Sequence, residues 1–348
     1  MSPQLPLAER NLGFLDQRLA LNWTVENIHA FGGDPTKITI FGQSAGGASV
    51  DELITTIPQN PPFRAAIMQS GQTSLYINHN NSDTESWDAL MEVLNCSSAG
   101  DVLACARSAN ASTIKNIVEN TPLFFSPVSD NVTQLEFPEA ARVAKKVAQV
   151  PILLGTTADE GSFFAFGQTN TTAFLSQSFP GLPMLWSAIE KAYPLGSSPQ
   201  LASEYLVNAA IAGDFQFQCP CAIVANDSEA TGIPTWRYLY NATFPNTQFK
   251  QFPSLGVYHG SELVMVFGTY PEANATKEEV QLGHEMQKAW ADFAKDPMAG
   301  PGWKEYPNVN VLESSSQEKI VNAKKLDARC GVYREVYEAL GIIASNPA

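Results

Sequence analysis

Apolar positions along the chain recur with two different periods. Over residues 12–30, Leu15, Leu19 and Trp23 return every fourth position, the spacing of one helical face, and Gly32-Gly33-Asp34-Pro35 supplies a stop. Residues 37–41 form a β-branched and aromatic run that predicts a strand. After a turn over 42–46, a second helix is predicted in which Val50, Leu53, Ile54 and Ile57 share a face. Residues 64–69 and 151–155 read as short buried strands. Between them lie a polar, cysteine-bearing excursion over 76–121 and a helix over 138–150 that opens on Pro138. Residues 162–230 read as helices broken by Pro and Gly, the composition of a cap over a cleft. A strand over 236–240 follows, then a helix over 277–293 with Met286, Trp290 and Phe293 inward, and a last helix over 329–342. Strands alternating with helices predict an α/β fold, with a largely parallel central sheet covered by helices on both faces. The chain has no internal repeat and no low-complexity tract.

Composition narrows the partners. Of 348 residues, 44% are apolar and 16% charged, a globular balance; 21 basic against 35 acidic residues leave a net charge of −14. With no block of Lys or Arg, nucleic acid and anionic membranes are poor partners. No apolar run reaches the length of a membrane span, and the first residues have no basic start or apolar core of a secretory signal. Two features nevertheless point outside the cytosol. Asn-x-Ser/Thr acceptors occur at Asn22, Asn80, Asn95, Asn110, Asn131, Asn170, Asn226, Asn241 and Asn274, about three times the number chance predicts. Cys96 and Cys105 bracket a short polar loop that a disulfide closes easily, while Cys219, Cys221 and Cys330 leave an odd count.

Gly42-Gln43-Ser44-Ala45-Gly46 has the form of a nucleophile elbow. A serine at the apex of a tight strand-to-helix turn needs small neighbours two before and two after. The following helix aims its positive end at the developing oxyanion, with the Ala45 amide as a natural donor. Of four histidines, His29 and His284 fall in predicted helices and His79 in a polar loop. His259 lies in a loop after a strand, where doubly wound sheets hold their reactive groups. The acid of such a triad lies between serine and histidine, after a strand; Asp159 and Glu160 both meet that condition.

The run NLGFLDQRLALNWTVENIHAFGGDPTKITIFGQSAGGASV resembles the type-B carboxylesterase/lipase family, which includes cholinesterases and secreted fungal lipases and esterases. FRAAIMQSG, PILLGTTADEGSFF, VYHGSELVMVFG and WADFAKDP extend the similarity over nearly the whole chain. The resemblance implies an α/β-hydrolase fold and hydrolysis of small-molecule or lipid carboxylic esters, with no metal or cofactor. It implies Ser44 as nucleophile, Glu160 rather than Asp159 as acid, His259 as base and Ala45 as oxyanion donor. Ser70 resembles the serine that supports the acid from behind. Gln43, beside the nucleophile, stands where cholinesterases carry a glutamate, an argument against a cationic choline-like substrate. Cys96 and Cys105 match a family disulfide, and Cys219 matches one half of another, with Cys330 its only distant candidate. Phe163, Phe164, Phe166 and Phe267 are candidates to line an apolar pocket or, equally, to pack in the core. The resemblance also implies secretion.

Members of this family carry about 150 further residues ahead of the point matching Met1, a size consistent with one large domain. That part holds early strands and a His-Gly-Gly-Gly segment whose amides complete the oxyanion site. The expectation is therefore that residues 1–348 form the C-terminal part of a single hydrolase domain, with an exposed sheet edge. One oxyanion donor lost typically costs about 3 kcal/mol of transition-state stabilisation. The competing expectation is an inactive fragment or a non-catalytic binding or adhesion relative.

Overall fold

Six strands form one sheet whose spatial order follows the sequence: β1 (Thr39–Gln43), β2 (Ala65–Gln69), β3 (Ile152–Thr157), β4 (Thr235–Tyr240), β5 (Asn308–Leu312) and β6 (Lys319–Asn322). β1 to β5 are parallel, and β6 returns antiparallel on β5. The computed structural model describes residues 2–76, 84–252, 255–314 and 319–343. His79 and Asn80 lie outside the described residues.

β2 and β3 are buried along their whole length, as strands covered on both faces must be. Their successive side chains feed two separate cores. Ala65, Ile67 and Leu153 join Trp236 and Tyr238 against Met286, Trp290 and Phe293 of the helix Lys277–Lys295. Ala66, Met68, Ile152 and Leu154 pack instead on Val50, Leu53 and Ile54 of helix α2 (Ala45–Thr56). A third cluster lies in the cap, where Tyr333 and Tyr337 join Leu175, Ile189 and Ile211 around the Cys219–Cys330 disulfide. Cys96 and Cys105 form the other disulfide, and Cys221 is a buried thiol whose pKa burial pushes up to about 11.

Four expectations change. Helix α1 runs from Leu12 to Asn27 and ends in a 3-10 turn capped by Gly32, which takes φ 81°. Its buried residues are Phe14 and Leu21, whereas Leu19 and Trp23 are exposed. Hydrogen bonds from Gln17 to Ser49 and from Arg18 to Thr56 fix α1 on α2 and leave the Leu19–Trp23 side to solvent. The helix expected over 138–150 stops at Val143, because Lys145 adopts φ 59° and Val147, Ala148 and Val150 bury in the core beside Ile54. The C-terminal helix is split into a 3-10 turn, Cys330–Tyr333, and the helix Arg334–Ala339. Strands β5 and β6 are additions that the apolar pattern did not reveal.

Candidate active site

The elbow is built where β1 meets α2. Ser44 sits at its apex with φ 57° and ψ −122°, a backbone conformation that costs energy for a non-glycine residue and persists only when its surroundings impose it. Its amide donates to Gln69 O at 2.8 Å, and its carbonyl accepts from Ala48 N at 3.0 Å. The small neighbours are required unequally. A Cβ on Gly42 would lie 2.3 Å from the Gly46 backbone, and one on Gly71 only 1.9 Å from Ser44 O; on Gly46 it would meet nothing within 4 Å. Ala45 opens α2, at the positive end of the helix.

Glu160 and His259 meet across the sheet's carboxyl end. Glu160 follows β3, is buried, and brings Oε2 to 2.6 Å from His259 Nδ1. Its other oxygen, Oε1, accepts the Thr157 amide at 2.7 Å. This arrangement holds both carboxylate oxygens in place. Asp159 faces another way: its carboxylate accepts the Val257 amide at 2.8 Å and pairs the acid loop with the strand-like segment before His259. Burial raises the Asp159 pKa, against the lowering effect of that bond. The two adjacent acids thus diverge, one onto the imidazole and one onto the loop that carries it.

The imidazole is also held by rings. Phe217 packs 4.6 Å from His259 and Phe164 5.3 Å, centroid to centroid, and the two phenyl rings lie 5.4 Å apart. Phe217 arrives on a π-helical turn, Asp214–Gln218, inserted between the helices Glu204–Gly213 and Cys219–Ala230. Gly161 allows this approach, because a Cβ there would lie 2.0 Å from Ala209 O. Phe217 has no functional signature in the sequence: Asp-Phe-Gln-Phe-Gln alternates with the period of a strand, yet it folds as a π-helical turn.

His259 Nε2 is met by the Gln43 side-chain amide nitrogen at 3.2 Å; among the described residues no hydrogen bond joins Ser44 Oγ to the imidazole. Ser70 lies buried with φ 50°, its Oγ without a hydrogen-bond partner among the described residues, while the Thr157 amide holds Glu160 Oε1. Behind His259, buried Glu262 accepts from Gln69 Nε2, while Gln69 Oε1 accepts from Trp290 Nε1. Burial, with Glu160 nearby, pushes the Glu262 pKa up to about 7. Phe163, Phe164, Phe166 and Phe267 are all exposed; Phe163 and Phe166 pack on Phe252, and Phe267 on Phe41. His29 and His284 stand in solvent, on a 3-10 turn and a helix respectively.

The sequence model of the Carboxylesterase family matches residues 6–330. The chain belongs to the carboxylesterase family. Its sheet is accordingly that of an α/β-hydrolase. Among similar proteins, secreted lipase 5 of Gibberella zeae is 30% identical over 92% of this chain and 60% of its own length. Para-nitrobenzyl esterase of Bacillus subtilis is 32% identical over 82% of this chain and 58% of its own. Acetylcholinesterase of Bungarus fasciatus is 29% identical, covering 84% and 53%. The chain spans less than two thirds of the length of these relatives. No helix among the described residues is long and apolar enough to cross a membrane.

Proposed function

We propose that this carboxylesterase-family chain hydrolyses carboxylic esters by two-step acyl transfer, with Ser44 as nucleophile, His259 as general base and Glu160 as the acid that orients it. The observation that carries this reading is the 2.6 Å contact between Glu160 and His259 Nδ1, formed by a buried carboxylate whose second oxygen is also held. A carboxylate on Nδ1 places the neutral imidazole's lone pair on Nε2, the nitrogen that must take the serine proton. The Gln43 amide occupies that nitrogen at rest, and it yields when substrate brings Ser44 Oγ into line. Ser44 then attacks the ester carbonyl, the Ala45 amide receives the oxyanion, and the alcohol leaves with the proton that His259 returns. Water, activated by the same base, releases the acid. The exposed phenyl ring of Phe164 beside His259 offers apolar surface to an acyl chain or aryl group. Gln43, uncharged, gives no preference for a cationic alcohol.

Ala45 is the one donor that the elbow itself supplies, and His-Gly-Gly-Gly does not occur in this sequence. A form extended in front by such a segment should therefore turn over about 10²–10³ times faster. The experiment is covalent labelling with a fluorophosphonate, followed by peptide mass analysis, beside release of p-nitrophenol from short-chain esters. The expected adduct is on Ser44, and Ser44→Ala should lower hydrolysis by at least about 10⁴-fold. A folded chain, extended in front or not, that takes no label at Ser44 would move the reading to a non-catalytic relative.

A further inference from the structure

The nine Asn-x-Ser/Thr acceptors are not used by the chemistry above. Eight lie within the described residues, and all eight asparagines are exposed. The ten other described asparagines behave differently: four are exposed, while Asn11, Asn208 and Asn310 are buried outright. Chance would leave all eight acceptors exposed roughly once in ninety draws, on top of the excess in their number. Two independent properties, frequency and placement, therefore agree.

We infer that the protein carries N-linked oligosaccharides, with Asn110 and Asn170 the sites the fold suits best. Each stands at the N-terminus of a helix, Ala111–Asn120 and Thr171–Ser178, and uses its side-chain Oδ1 as the cap. Asn110 Oδ1 accepts the Ser112 amide and Asn170 Oδ1 the Ala173 amide, both at 2.8 Å. Their Nδ2 atoms make no hydrogen bond among the described residues. In glycosyl transfer, Nδ2 forms a bond to C1 of a lipid-linked oligosaccharyl diphosphate. The C1–O bond breaks, the lipid diphosphate leaves with its electron pair, and one amide proton passes to a base of the transferase. Oδ1 remains a carbonyl acceptor, so the modification keeps the cap and directs the sugar into solvent. The hydroxyl residues two positions on, Ser112 and Thr172, are exposed as well. Asn226 is the least suited: its Nδ2 donates to Asp227 Oδ1 at 3.2 Å, and Ser228 is buried against Arg142. The two disulfides fit the same oxidising compartment.

The test expresses the chain behind a cleavable secretory leader in a eukaryotic host. Peptide N-glycosidase in ¹⁸O-water then marks every occupied asparagine as ¹⁸O-aspartate for mass analysis. Both secreted and membrane-retained fractions are read, so occupancy is scored even where export is slow. Label at Asn110 and Asn170 in most molecules, with less at Asn226, is the expected result. An Ala210→Thr variant makes buried Asn208 an acceptor, and its secreted fraction should carry no label there. Unlabelled Asn110 and Asn170, or Asn208 labelled as fully as they are in secreted protein, would overturn the inference. The readout is mass rather than turnover, so its failure and that of the esterase reading are separate events.

Discussion

The two limbs of the site are built to different standards of enclosure. The acid–base limb rises from β3 and β4 in the middle of the sheet, where β3 is buried at every position. Glu160 has both oxygens held, and His259 is gripped by a carboxylate and two phenyl rings. The Ser44 limb stands on β1, which lies at the edge of the sheet among the described residues, with no residue fully buried. Its precision comes instead from local sterics: Gly42 against Gly46, Gly71 against Ser44 O, and one backbone hydrogen bond to Gln69. Burial fixes one half of the proposed site and local sterics the other. Damage to each should accordingly look different.

The largest expected effect separates the two adjacent acids. Glu160→Gln keeps the shape but stabilises the wrong imidazole tautomer, and hydrolysis should fall by about 10⁴-fold with little change in melting temperature. Asp159→Ala removes only the tie between the acid loop and Val257, so stability should drop by about 1–2 kcal/mol while the rate stays within tenfold. Kinetics and thermal melts on the two variants check this; equal losses of activity would mean that Asp159 shares the catalytic role.

The nucleophile limb should break sterically and asymmetrically. Gly42→Ala drives a methyl into the Gly46 backbone and is expected to destabilise by about 3 kcal/mol or more, with loss of fluorophosphonate labelling at Ser44. Gly46→Ala meets open space in the first turn of α2 and should be neutral or up to about 1 kcal/mol stabilising. Similar melting shifts in the two variants would contradict this account of the elbow.

These contrasts also mark what the sequence carried. The elbow was legible because its chemistry is local: five residues fix the turn, and nothing distant is needed to see it. The parallel sheet was legible from alternating strand and helix periods. The choice between Asp159 and Glu160 was not, because it depends on where the Val257 amide lies, and only resemblance favoured Glu160. Thr157, whose backbone amide holds Glu160 Oε1, leaves no side-chain signature at all. The strand β5, Asn-Val-Asn-Val-Leu, alternates as a strand does but carries two asparagines, which strands disfavour, and its partner β6 is only four residues long. Helix α1 was legible from its regular Leu-Leu-Trp spacing, although Leu19 and Trp23 are exposed among the described residues.

A pH experiment sharpens the buried limb. The Glu262 carboxyl has its pKa raised from 4.5 to about 7, chiefly by burial. A carboxyl raised in the folded state binds more protons there than when unfolded, so stability falls as pH rises from about 4.5 to 7 and is level above that. The full penalty is on the order of 3 kcal/mol. Glu262→Gln, which can still accept from Gln69, should flatten this slope and raise the melting temperature at pH 8. Denaturant titrations at pH 5 and pH 8 measure it; a slope unchanged in the variant would assign the pH dependence elsewhere.

The smallest predicted effect is the most diagnostic of how the base is held. Phe217 touches no reacting atom; its ring lies 4.6 Å from the His259 imidazole and can act only by restricting where Nε2 points. An aromatic pair of this kind contributes about 0.5–1.5 kcal/mol beyond the area it buries. If that energy is spent on orientation, Phe217→Leu should lower kcat by roughly three- to tenfold and leave KM unchanged. A residue that serves only packing would behave otherwise. Its loss would lower the melting temperature, yet the folded fraction would turn over at the original rate. Phe179→Leu provides that comparison, since Phe179 is equally buried but packs on Phe215 in the cap, away from the imidazole. A kcat loss confined to Phe217 would show that the π-helical turn positions the base; equal behaviour of the two variants would reduce Phe217 to part of the core.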